Sequence, residues 1–383
     1  MPLIFGRTDA MKQMAQLQIG GVTLTLPFGL APMAGMTDTA FRRLVKRQRG
    51  CGLVVTEMVS SEGLVRGIDR TLEFAEYTEE ERPVSIQVFG GDPSKMAASA
   101  QILESLGADI VDVNMGCPVP KIAKHHAGCS LMRDPKHAAT IVGAMVRAVK
   151  IPVTVKMRSG WNEEELNAPE LAQRVEGVGA SAITVHGRTA KQSYSGRSDW
   201  GLIGEVARSV DIPVLGSGDC VEPVQLLERL NESAVSGILV GRGALRNPWI
   251  FAQAADLSTG NVPREVTFEK RGHFLLDYLD LLLGEGVGET EGFRHRLPLT
   301  NETAAARGRD RWVINKLRAL GAWYTKGCEN GSHLRQEINA VGSIAGLRRT
   351  IHTFFLKSIG APPSNSVSVP AVVEPRRTPL NDF

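Results

Sequence analysis

Between residues 28 and 241 the chain alternates between short apolar runs and longer amphipathic stretches. Eight runs rich in Val and Ile read as strands, at 28–32, 53–57, 84–89, 110–114, 153–157, 182–185, 213–216 and 237–240. Several are apolar almost without interruption, the pattern of strands covered on both faces. The stretches between them carry helical spacing, for instance 38–48, 93–106, 134–149 and 222–230. Asp92-Pro93 and Asp134-Pro135 each place an N-cap before a proline at the first helical position. The joints 149–156 and 210–216 repeat one design: a helix end, a proline turn and a buried strand. Eight β-α units in this register predict a closed (β/α)8 TIM barrel; an open doubly wound sheet seldom holds eight strands so evenly spaced.

After Phe251 the alternation stops. Residues 265–284 and 310–357 read as helices only, with apolar positions such as Val313, Leu317, Leu320 and Tyr324 recurring at steps of three and four. The expected organisation is a barrel over 1–258 and a C-terminal all-helical domain over 265–358. An exposed insertion is expected at 286–309, and a disordered tail, rich in Pro, Ser and Val, at 359–383.

Composition narrows the setting. Of 383 residues, 43% are hydrophobic and 22% charged, which is ordinary for a globular protein. Five cysteines, odd in number and without a C-x-x-C pair, argue against a disulfide framework and a structural zinc site, so no metal is expected. No secretory leader is legible at the N-terminus, and the most apolar helix is interrupted by Asp277 and Asp280, so the chain reads as cytoplasmic and free of membranes. The net charge of +3 hides a local asymmetry: over 311–357 eight Lys and Arg face two Glu, an excess of six. Such a surface suits the phosphates of a nucleic acid.

A barrel of this kind places its chemistry at the carboxyl ends of the strands. Polar residues stand at those ends from the second strand onward: Glu57, Gln87, Asn114 and Cys117, Lys156 and Arg158, His186 and Arg188, Ser217-Gly218-Asp219, and Gly241-Arg242. Strands seven and eight leave through glycine turns, and two such turns side by side form a phosphate cradle to which Arg242 adds a cation. Lys156 reads as a cation beside a flavin, as a Schiff-base amine, or as half of a salt bridge to Glu57 or Asp112. Gln87, Asn114 and His186 suit hydrogen bonds to a heterocycle. Cys117, between Gly116 and Pro118, reads as packed thiol, nucleophile or acid; Lys121, Lys124, His125 and His126 make its loop basic.

Taken together, these strand ends resemble the tRNA-dihydrouridine synthases, and among them the bacterial B-type branch. The resemblance is carried by Ala31-Pro-Met-Ala-Gly-Met-Thr-Asp38, Thr56-Glu57-Met58, Gln87-Val-Phe-Gly90, Asn114-Met-Gly-Cys-Pro118 with Lys121, Lys156-Met-Arg158, His186-Gly-Arg188 and Gly241-Arg242. It implies FMN held by Pro32, Met33, Ala34, Gln87, Asn114, Lys156, His186, Ser217, Gly218, Asp219, Gly241 and Arg242. Cys117 becomes the proton donor, and Lys121, Arg158 and Arg188 become substrate contacts. NADPH (or NADH) would reduce the flavin, which passes hydride to C6 of a tRNA uracil while the thiol protonates C5. The resemblance carries the partners as tRNA and NADPH, with the enzyme expected to be a monomer. Ser217 departs from the family's usual Asn. The competing reading is an FMN barrel acting on a free pyrimidine or enone, similar to dihydroorotate dehydrogenase.

Overall fold

The computed structural model describes Met14 and residues 16–123, 126–284, 291–295 and 302–356. Lys124, His125, Lys357, the tail at 359–383 and much of 286–309 lie outside the described residues. Eight parallel strands close into a barrel: β1 (Phe28–Leu30), β2 (Leu53–Val55), β3 (Val84–Phe89), β4 (Ile110–Met115), β5 (Val153–Arg158), β6 (Ala182–His186), β7 (Val214–Ser217) and β8 (Gly237–Val240). β8 pairs with β1 through Val240 and Leu30, which completes the ring.

The outer layer carries α1 (Thr39–Arg47), α2 (Pro93–Ser105), α3 (Pro135–Ala148), α4 (Ala168–Gly177), α5 (Trp200–Arg208), α6 (Pro223–Glu232), α7 (Arg242–Arg246) and α8 (Ile250–Ser258). Two short helices, Ser61–Val65 and Asp69–Glu73, replace a single long one between β2 and β3. The Asp-Pro signals act as read: Asp92 accepts the N–H groups of Ser94 and Lys95, and Asp134 that of His137. A cap of this kind satisfies donors that no carbonyl inside the helix can reach.

One element was not legible. Leu17–Ile19 and Val22–Leu24 form an antiparallel hairpin through Gly20-Gly21. Its Leu17, Ile19 and Leu24 cluster with Leu53, Val55, Ile110, Ala182, Leu215 and Leu239. Leu53, Ile110, Ala182 and Leu215 of this cluster lie where their strands begin, so the hairpin covers that end of the barrel with apolar side chains. Toward the other end the inward positions turn polar, as Thr154 and Lys156 of β5 and Thr184 and His186 of β6 illustrate.

Four further helices follow among the described residues: α9 (Phe268–Gly284), α10 (Glu302–Tyr324), α11 (Gly331–Ala340) and α12 (Ile344–Phe355). They share one apolar cluster with the outer layer of the barrel. Phe274 and Tyr278 of α9 meet Phe41 of α1 edge-on, and Phe274 stacks on Tyr324 of α10 with ring centres 5.5 Å apart. The expected exposed insertion differs from the structure in two respects. Glu302 to Arg309 already belong to α10. Upstream, Phe293 O accepts the Tyr77 N–H at 2.9 Å and the His295 N–H donates to Glu76 at 2.8 Å, so this segment is docked on the barrel.

Candidate active site

The register brings the sequence-predicted residues together at the carboxyl ends of the strands. Asn114 lies beside Lys156, Arg158 beside His186, and His186 beside Ser217. Ser217 pairs with Leu239, so the turns after β7 and β8 are neighbours, as a cradle requires. Met33, in the turn after β1, reaches Gly241 across the seam of the barrel. Pro32 and Met33 are half-buried, whereas Ala34 is exposed on the rim.

Gly218 has φ +128 and Asp219 φ +54, left-handed conformations that favour glycine and Asn or Asp. A Cβ on Gly218 would lie 2.2 Å from Ser198 Oγ. The turn therefore needs glycine, and its backbone is what it offers a ligand. The Asp219 carboxylate is engaged elsewhere: both oxygens accept from Arg188 Nη2, at 2.8 and 2.9 Å, and Oδ2 also takes the Ser198 N–H at 2.7 Å. A carboxylate facing a phosphate would repel it; this side chain instead holds the cation Arg188, with Arg242 3.8 Å away.

Cys117 sits on a braced loop. Its N–H and that of Gly116 donate to Asn114 Oδ1, at 2.9 and 3.2 Å. Arg158 donates through Nε to Gly116 O at 2.7 Å, and through Nη1 to Thr189 O and Ser193 O. Arg158 was expected on substrate; the bonds it makes are to backbone carbonyls, and it ties the cysteine loop to the loop after β6. Arg188 was expected on substrate too. It holds Ser195 O, Gly196 O and Asp219, which leaves its Nη1 buried without a partner. Lys121 lies exposed on the short helix Pro120–Ala123 beyond the cysteine.

The electrostatics follow from burial. Lys156 makes no hydrogen bond or ion pair among the described residues, so the salt bridge to Glu57 or Asp112 is not formed. Burial, reinforced by Arg158, pulls its pKa down to about 8 against the attraction of Asp112. His186 is driven down to about 2 by burial and by the cations Lys156, Arg158, Arg188 and Arg242, so it works as a neutral imidazole. Its Nε2 is buried and unpartnered. Burial raises the Cys117 thiol above its ordinary value, opposed by the Val119 N–H, Arg158 and Lys156. An unpaired ammonium, an unpaired ring nitrogen and an unpaired guanidinium nitrogen around one mouth lack an anionic, hydrogen-bonding partner, and a flavin nucleotide fits that donor set.

Glu57 pairs with a lysine other than Lys156. Its Oε2 accepts the Gly35 N–H at 2.6 Å, and its Oε1 lies 3.4 Å from the ammonium of Lys316 on α10. Lys316 also reaches Asp38 at 3.0 Å and Gly35 O at 2.9 Å, while Tyr278 donates to Asp38 at 2.7 Å. Burial works against this ammonium, but Asp38 and Glu57 outweigh it and hold its pKa above the usual lysine value. Lys316 thus leaves the basic outer surface to which the sequence assigned it and pins α10 to the turn after β1. Lys316→Ala will strand two carboxylates and cost about 3 kcal/mol. The check is a lower urea midpoint, partly restored in Lys316→Arg; an unchanged midpoint would show that the pin carries no load.

A second set of cations lies alongside the glycine turns after β7 and β8. Arg242 stacks over Tyr194 and reaches Trp323 of α10, Lys326 covers Trp323, and Lys326 lies close enough to Arg242, Arg246 and Arg335 for their charges, after burial, to lower its pKa. Arg318, by contrast, caps α11 by donating to Ile338 O, Asn339 O and Val341 O, and Arg348 pairs with Asp280. Composition gave the excess of charge but not this division between inner and outer basic groups.

A (β/α)8 barrel with a cation, a thiol and paired glycine turns at one mouth is an arrangement suited to a barrel oxidoreductase of the flavin type. Comparison with known proteins supplies the family. The dihydrouridine synthase family model matches residues 29–358, and the chain belongs to that family. It is 35% identical over 345 residues to a probable tRNA-dihydrouridine synthase of Rickettsia bellii, covering 90% of this chain and 99% of that one. It is 39% identical over 281 residues to tRNA-dihydrouridine synthase B of Xanthomonas campestris, covering 73% and 83%. Among solved structures it is similar to histamine dehydrogenase from Rhizobium, with a TM-score of 0.51 at 13% identity over 70% of this chain and 50% of that one. That likeness concerns the fold alone. No helix among the described residues is long and apolar enough to cross a membrane.

Proposed function

We propose that this chain is a tRNA-dihydrouridine synthase that reduces the C5=C6 bond of particular tRNA uridines, with FMN as its flavin and NADPH as its electron donor. The observation that carries the reading is the meeting of Cys117, Asn114, Lys156 and His186 at one barrel mouth, on a family member. Bound FMN, once reduced, supplies the hydride for C6 of the uracil. Lys156 offers that cofactor the positive charge it otherwise leaves unpaired, and neutral His186 offers a ring nitrogen. The glycine turns after β7 and β8, with Arg242, hold the phosphate. Cys117, kept protonated by burial, gives its proton to C5.

RNA binding is assigned to the cluster Arg246, Lys326 and Arg335 around Trp323, next to Arg242. These groups flank the mouth, and a uridine must be turned out of its stack to enter it. The test is reconstitution: purified protein with FMN and NADPH is mixed with unmodified tRNA, and dihydrouridine is mapped by mass spectrometry. Dihydrouridine at one or a few positions is expected, and yield will fall steeply as salt rises. Reduction of free uracil or orotate with no reduction of tRNA would overturn the assignment in favour of a free-pyrimidine enzyme.

A further inference from the structure

One buried carboxylate in the barrel lumen has no part in the chemistry above. Asp112 on β4 is only 4% exposed. Its Oδ1 accepts the Thr154 hydroxyl at 2.6 Å and its Oδ2 accepts Gln87 Nε2 at 2.7 Å. Gln87 Oε1 in turn accepts Asn114 Nδ2 at 2.7 Å, and Asn114 Oδ1 takes the N–H groups of Gly116 and Cys117. Strand register explains the alignment: Gln87, Asp112 and Thr154 are neighbours across β3, β4 and β5, and Asn114 is two residues beyond Asp112 on the same face.

The direction of every bond in this chain follows from its outer end. Backbone N–H groups only donate, so the Asn114 atom that faces Gly116 and Cys117 is its oxygen. Its amino group then faces Gln87, which must answer with oxygen. The amino group of Gln87 is left needing an acceptor, and Asp112 supplies it. Reversing either amide would set two donors against each other in a buried place, at the cost of an unsatisfied group.

We propose that Asp112 is a positioning residue that fixes the amide orientation of Gln87 and Asn114, and through them the backbone of the loop carrying Cys117. This rests on Cys117 being the proton donor. The other role open to Asp112 is simple charge balance for Lys156, with which it forms no ion pair but which it attracts. Two substitutions separate these roles. Asp112→Asn removes the charge yet can keep an acceptor toward Gln87, with its own amino group turned to the Thr154 oxygen. Asp112→Leu removes both.

The experiment uses the protein as isolated with its flavin. It follows Cys117 alkylation by iodoacetamide, read at that site by peptide mass mapping, and the two half-reactions, flavin reduction by NADPH and reoxidation by tRNA. Asp112→Leu is expected to raise Cys117 alkylation about tenfold, the factor of one lost hydrogen bond. It is also expected to slow reoxidation at saturating tRNA about a hundredfold, as a displaced proton donor does, and to slow reduction much less. Asp112→Asn should stay near the native protein in both. If Asn and Leu impair reoxidation equally while Cys117 alkylates at the native rate, the role is charge balance and the proposal fails. If Asp112→Leu matches the native protein, it also fails. Should Asp112→Leu not fold, Gln87→Leu breaks the chain one link later, and unchanged alkylation there overturns the proposal. A native protein that reduces no tRNA would refute the reading of Cys117, whereas the alkylation comparison would still decide the relay.

Discussion

Cys117→Ala will bind flavin and accept electrons from NADPH at native rates, but its reduced flavin will persist when tRNA is added. The expected loss in the tRNA half-reaction is about a thousandfold, within the range of a positioned general acid. The sign of its pH dependence distinguishes acid from nucleophile. Burial lifts this thiol above its ordinary value, and the Val119 N–H, Arg158 and Lys156 only partly offset that. An acid is active while protonated, so the native half-reaction holds at neutral pH and declines as pH rises through the raised pKa. A nucleophilic thiolate would gain over the same range. Anaerobic stopped-flow measurement of flavin reoxidation across pH checks both points. Undiminished turnover by Cys117→Ala would remove the residue from the chemistry.

Lys156→Met will weaken flavin binding about a hundredfold, the upper range of a hydrogen bond made by a charged group. It will also stabilise the flavin-free protein. In that form the folded chain releases the Lys156 proton near pH 8, whereas the unfolded chain keeps it to the ordinary value of 10.5. The unfolded state then holds more protons between those values, so this group makes stability rise with pH across that window. Below about pH 8 the charged lysine is a liability that an anionic ligand relieves. Flavin affinity of the native protein should accordingly fall as pH rises above 8, and that fall should vanish in Lys156→Met. Fluorescence titration of the flavin-free protein decides it; equal affinities in both proteins would exclude contact between this lysine and the flavin.

The eight barrel strands were legible because each is a short apolar run bounded by turn residues, and the candidate site because polar residues terminate those runs at neighbouring strand ends. The N-terminal hairpin was missed although its alternation around Gly20-Gly21 is the ordinary signal for a two-residue turn; three residues per strand give that signal little length. The start of α10 was missed because Thr303-Ala-Ala-Ala-Arg307, a good helix former, follows a stretch rich in Gly and Pro. Arg158, Arg188 and Lys316 stand out by charge, but their partners are backbone carbonyls and carboxylates that the sequence does not pair with them. Only the folded structure shows that two of them brace loops and the third pins a helix. Asp112 could have been singled out, since it precedes Asn114 by the two-residue step that places both in the lumen.

The hairpin at Leu17–Leu24 has a consequence for traffic. Among the described residues it covers the barrel at the end where the strands begin, which leaves the face flanked by the basic cluster as the approach to the polar end. Under the proposed function, the electron donor and the RNA would share that approach.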